Sequence, residues 1–192
     1  MTNTRSLAPV FLAAVLVGCA GSYQAAQIPK YEADLYPQSE TKAGITIGID
    51  EINRPERAQR YFGADLTAEG IVPVYVAVSN HGQRRVVVKP SDVLLHRGNE
   101  VVDALSPQAV AAAAKRPSEK SFANLALKET VLSPSETYHG VVFFAAAKPK
   151  GAVERLLSAL SGSRESGARI RVGLTSVDTG ERVLFGPFPL TL

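Results

Sequence analysis

Four sets of residues in this 192-residue chain carry groups able to do chemistry. Cys19 is the sole cysteine and stands directly after Leu16-Val17-Gly18. A lone thiol behind small and apolar residues is a candidate for covalent modification, since the thiolate is a strong nucleophile. Asp178-Thr179-Gly180 places one carboxylate in a turn sequence. Two such carboxylates sharing a proton perform acid–base catalysis, but the triplet occurs once. His81, His96 and His139 are of a metal-binding type, without the spacing of a His-Glu-x-x-His helix. Ser161-Gly162-Ser163 offers hydroxyls but no Gly-x-Ser-x-Gly turn.

The residues around Cys19 explain it. Arg5 supplies a positive end, Leu7 to Val17 an apolar run, and Gly18 a small residue before the thiol. That is the pattern of a secretory signal. The run is shorter than the ~20 residues that span a bilayer. The segment resembles the signal of bacterial lipoproteins. The resemblance implies that Leu16, Val17 and Gly18 are recognition positions and that the chain is cut before Cys19. It also implies that the sulfur carries diacylglycerol and that the new amine is acylated. In Gram-negative lipoproteins Asp after the cysteine marks inner-membrane retention. Ala20 stands there, which implies the outer membrane, facing the periplasm or the exterior.

The triplet at 178–180 is similar to that of aspartic proteases, with Val177 as the preceding apolar residue. Glu181, however, stands where that family has a small one. A hairpin turn is the expectation, because Asp and Gly are favoured turn residues. The three histidines are read as unrelated surface residues. No catalytic, cofactor or metal site is expected.

Composition bounds the rest. With 45% hydrophobic and 20% charged residues, the chain is globular and long enough for one ordinary domain. The net charge is +3 and the pI about 9.1, but Arg5 leaves with the signal. Only Arg84-Arg85 and Lys115-Arg116 are adjacent, so no basic stripe suits nucleic acid. With Cys19 lipidated no disulfide is available, and the core must supply the stability.

The elements follow from periodicity. Residues 20–42 keep no helical or strand period and read as a tether, about 80 Å long if extended. Tyr23, Tyr31 and Tyr36 either pack back on the domain or sit at the lipid interface. Ile45, Ile47 and Ile49 alternate with polar residues. Val72, Val74, Val76 and Val78 share one face of a strand running to Asn80. Strands are expected at Arg85–Lys89, Val93–Leu95, Leu125–Leu132 and Ile170–Leu174, with a hairpin return over Arg182–Phe188. Val141-Val142-Phe143-Phe144 is apolar on both faces and is expected as a central, covered strand. Residues 54–62 are expected to form a helical turn. Helices are expected after Ser106-Pro107, stopped by Pro117, and over Gly151–Ser161, where Val153, Leu156, Leu157 and Leu160 make a stripe.

About seven short strands with regular turns and one or two helical insertions predict a mainly β, antiparallel sandwich. Gly70 to Asn80, the turn Pro90-Ser91-Asp92-Val93, and Leu132-Ser133-Pro134 leading to Gly140–Phe144 resemble the immunoglobulin-like accessory domains of bacterial surface and periplasmic proteins. The cysteine pair and tryptophan of true immunoglobulin domains are missing. The expected organisation is a signal peptide at 1–18, a lipidated flexible tether at 19–42 and a sandwich at 43–192. The expected role is non-catalytic: an interaction or envelope-structural module. Its partners would be the lipid bilayer, through acylated Cys19, and an envelope protein. An envelope hydrolase and a carrier for an apolar ligand held between the sheets are the alternatives.

Overall fold

The computed structural model describes residues 26–115, 119–146 and 167–191. Leu16 to Cys19, Tyr23, Pro117 and the expected helix at 151–161 lie outside them. The described chain is mainly β, with two antiparallel sheets packed as a sandwich. One sheet holds β1 (Gln38–Lys42), β2 (Ile45–Glu51), β3 (Ile71–Asn80) and β8 (Thr137–Ala145), in the order β1-β2-β3-β8. The other holds β4 (Val86–Val88), β5 (Val93–Arg97), β6 (Glu100–Val102), β7 (Thr130–Leu132), β9 (Arg169–Ser176) and β10 (Arg182–Pro189). There β10 lines one edge of β9, while β5 and β4 pair with successive halves of β9. Among the described residues, three short α-helices accompany the sheets: α1 (Pro55–Phe62), α2 (Pro107–Ala113) and α3 (Glu119–Leu125).

β3 explains the layering. All ten of its residues are buried. Val72, Val74, Val76 and Val78 face the second sheet and pack with Ile47, Ile49, Val88, Leu95, Ile170 and Phe185. The alternate residues Ile71, Tyr75 and Ala77 enter a second core with Ala33, Tyr36, Phe62, Val110, Phe122 and Phe143. Period two identifies the first face only. The second is apolar as well, so a third layer of helices and N-terminal chain must cover it.

That requirement corrects the expected tether. Ala33 is fully buried and Tyr36 nearly so, and Gln38–Lys42 is a strand in register with Ile45–Ile49. The sequence hid β1 because its inward residues are polar. Their side chains bond the free edge of β10 instead of filling a core. Gln38 Nε2 donates to the Pro189 carbonyl at 2.7 Å, Glu40 accepts from the Gly186 N–H at 2.6 Å, and Lys42 Nζ donates to the Leu184 carbonyl at 2.8 Å. Positions i, i+2 and i+4 of one strand thus close that side of the sandwich and occupy an edge that would otherwise be open.

Two further expectations change. Val141–Phe144 is buried on both faces, yet β8 ends its sheet and is not central. Coil shields its outer edge, where Leu105 and Leu127 donate backbone bonds to the carbonyls of Phe143 and Val141. Gly140 permits this approach, because a methyl there would run into the backbone of Leu127. Residues 125–132 are only partly strand. Phe122 and Leu125 lie three apart on α3 and pack with the second core, leaving β to Thr130–Leu132. The helices at α1 and α2 form where Pro occupies the first turn, and Ser106 Oγ accepts from the Ala109 N–H. α1 ends at Gly63, whose φ of 69° favours glycine.

Val76 is fully buried between Ile49 and Gly140. Val76→Asp should therefore unfold the domain, since an unpaired buried charge costs several kcal/mol against a total stability of about 5–15 kcal/mol. Asp178→Asn, at an exposed turn, should leave the melting temperature within about 2 °C. Thermal melts of the two variants beside the parent check both.

Candidate functional site

The described residues separate the chemistry-bearing groups. Asp178-Thr179-Gly180 is the turn between β9 and β10, with Gly180 at φ 70°. The Asp178 carboxylate accepts from the Arg85 guanidinium at 3.2 Å and from its backbone N–H at 3.4 Å. Glu181 faces Arg84 at 3.5 Å. The triplet thus ties the hairpin to the chain entering β4. His96 lies on β5 opposite Arg169, in the six-stranded sheet. His81 and His139 belong to the other sheet's end and outer face. Among the described residues no three His, Cys, Asp or Glu side chains gather as a metal site.

His81 and His139 instead flank Glu32, in a cluster absent from the sequence reading. Glu32 Oε2 accepts from Ser79 Oγ and from Thr137 Oγ1, each at 2.7 Å, and lies 3.8 Å from His81 Nε2. Ser79 is fully buried and also accepts from the Ala33 N–H at 2.9 Å. The Ser79 and Thr137 hydroxyls, with the nearby imidazoles, hold the Glu32 carboxyl below the usual range. His139 Nε2 meets the Tyr31 carbonyl at 2.7 Å, and its ring stacks on Tyr75 at 5.9 Å. Tyr36 packs on Tyr75 at 5.6 Å. Gly48 leaves a flat place for the strap, because a methyl there would strike the Ala33 carbonyl. These contacts fasten residues 31–36 across the outer face of the four-stranded sheet. Burial raises the Tyr75 hydroxyl's pKa, and the neighbouring Tyr36 adds to the rise. Ser79 is therefore a structural hydroxyl, closed off from any substrate.

A concave apolar site does exist on the open side of the sandwich. Where β1 and β10 close one flank, the other lies between β5 and the shielded edge of β8. A cleft of about 490 Å³ opens there, within the range of small-molecule sites. Val93 and Leu94 of β5 form one wall. Leu105, Ala126 and Leu127 form another, and the edge of β8 from Val141 to Phe143 forms the floor. Ser91, Asp103, Ser106 and Lys128 stand at its lining as the polar residues. The arrangement can hold an apolar body and orient a polar end. It was not legible in the sequence, because Ala126 and Leu127, expected as strand, instead form a wall where the chain leaves α3. The spacing of Phe122, Leu125 and Ala126 was the available signal.

No family model and no curated protein matches the chain. Solved structures resemble it distantly. The ycdA protein of Bacillus subtilis, a putative lipoprotein, is 12% identical at a TM-score of 0.42. The match covers 81% of this chain and 38% of that one. The yjhA protein of Bacillus subtilis is 9% identical at 0.41, over 78% and 95%. A FixG-related protein from Vibrio parahaemolyticus is 12% identical at 0.35, over 76% and 97%. This chain thus spans well under half of the ycdA structure, and no role passes to it from matches this distant.

The Glu32 cluster gives a pH dependence with a definite sign. A carboxylate whose folded pKa is depressed stabilises the fold above its unfolded value, near 4.3. That contribution disappears as pH falls through the folded value. At a half-exposed group it amounts to no more than about 1 kcal/mol. Proteolytic cleavage within residues 26–36 should accelerate below about pH 4, and Glu32→Gln should cleave at one elevated rate on both sides of that pH. Acid-active protease digestion followed by mass spectrometry reads the cleavage rates.

Proposed function

We propose that this chain is a bacterial envelope lipoprotein presenting a non-catalytic sandwich as a binding or structural module. The observation that carries the reading is Leu16-Val17-Gly18-Cys19 closing the apolar run from Leu7. Several acyl chains on Cys19 give stable anchoring, since each buried CH₂ contributes about 0.8 kcal/mol. Ala20 favours the outer membrane. The domain is of the immunoglobulin-like accessory kind, and its partner is an envelope protein. The placement of Asp178 in an ion-paired turn supports a non-catalytic role over a hydrolase. So does the separation of His96 from His81 and His139.

A second reading, carriage of an apolar ligand, is favoured by the cleft beside β8. An apolar molecule in organic extracts of envelope-purified protein would support carriage. An envelope protein captured by in-cell cross-linking would support the interaction module.

Cys19→Ser should abolish fatty-acid incorporation and leave uncut precursor carrying Met1–Gly18. Metabolic labelling with a clickable fatty acid, followed by intact-mass measurement, reads both. Equal incorporation into parent and variant would overturn the lipoprotein reading.

A further inference from the structure

We infer that the anchored protein lies against the bilayer on its strap-and-α1 face, and that the outer face of the six-stranded sheet always points away from the membrane. The inference rests on the lipidation of Cys19 and adds to it an orientation.

The argument is one of length. The expected tether of residues 19–42 would let the domain tumble far from the lipid. The fold removes most of that freedom. Ala26 donates its backbone N–H to the Arg60 carbonyl at the end of α1. From there Tyr31, Glu32, Ala33 and Tyr36 are fixed to the sheet, and β1 follows. The six residues between Cys19 and Ala26 set the greatest length of the leash. Fully extended, the chain from Cys19 to Ala26 reaches no more than about 25 Å.

The exit point lies in the outermost layer. α1 packs on the outer side of the four-stranded sheet through Ala58 and Phe62, and the second sheet lies beyond. A helix layer and a sheet-to-sheet step are each about 10 Å thick. The far face, carrying Arg171 and Leu184, is therefore some 25 Å from the exit. It could touch lipid only with the leash drawn out to its limit. The near face needs almost none of the leash. That face also suits a phospholipid surface. Arg54 caps α1, which carries Arg57 and Arg60 with Glu56, and the strap adds Lys30 with the acids Glu32 and Asp34. Arg57 is paired with Asp50 at 3.1 Å. The half-buried Tyr61 and Ile28 add amphipathic surface. Because length sets the orientation, anionic headgroups should tighten it but are not required for it.

The chain from Cys19 to Leu192 has one thiol, which permits anchoring without the cell's lipidation machinery. It is coupled through Cys19 to a maleimide phospholipid in nanodiscs whose headgroups carry a gadolinium chelate. Paramagnetic broadening of amide signals is then read by NMR. Residues 26–31 and α1 should broaden several-fold more than Val177–Arg182 and the outward positions of β9. The contrast should persist in pure phosphatidylcholine and sharpen with phosphatidylglycerol. Equal broadening of the two faces, or greater broadening of the β9–β10 hairpin, would overturn the orientation. The fatty-acid label on Cys19 is a separate readout, so a failure of lipidation and a failure of orientation are told apart.

Discussion

The two-sided burial of β3 is the constraint on which the rest of the structure depends. A strand with one wet face would need a single partner sheet. β3 has none to spare: its valines fill the space between the sheets while Tyr75 and Ala77 are closed over from outside. Each buried aliphatic or aromatic side chain contributes about 1.5–3 kcal/mol relative to exposure, so leaving the outer face bare would cost a large part of a domain's stability. The N-terminal strap, α1, α2 and α3 are the cover. Gly48 is the flat place that lets the strap's backbone lie directly on the outer face of the sheet.

The same constraint fixes the two flanks. On one, β1 is held in place by the strap that precedes it, and its polar side chains reach the backbone of β10. On the other, the chain leading into α2 and the chain leaving α3 shield the edge of β8 through two backbone bonds. This second closure is looser, because those segments also run toward the helices. The apolar cleft is the space left between them and β5. Asn80 ties the layers at the opposite end. Fully buried, it donates to the carbonyls of Arg84 and Leu132 and accepts from the Gly82 N–H, so each of its polar groups has a partner.

Much of the inter-sheet core was legible in the sequence, because period two marks a face packed on one side. Ile45, Ile47 and Ile49, the valines of β3, and Ile170, Val172 and Leu174 all fall where alternation places them. The Asp178 turn and the Ser106 cap follow from local chemistry. What escaped were contacts between residues distant in sequence. β1 reads as polar coil because its inward side chains bond backbone across the flank. Glu32 looks like any surface acid until Ser79 and Thr137, some 47 and 105 positions away, converge on it. The apolar second face of β3 was visible, but not which segment would cover it. The chemistry at Cys19 is the reverse case: its signal is wholly local, and lies outside the described residues.

The central claim is that residues 26–42 belong to the folded domain and cover β3. Comparing the thermal unfolding of chains 26–192 and 43–192 tests it most directly. The shorter chain loses Ala33, Tyr36 and β1. Removing a buried aromatic alone costs about 3–5 kcal/mol, which corresponds to about 10 °C or more in a domain of this size. The account predicts that chain 43–192 melts at least that much lower or has no cooperative transition. Equal melting temperatures and equal cooperativity would contradict it, and would restore residues 19–42 as a free tether.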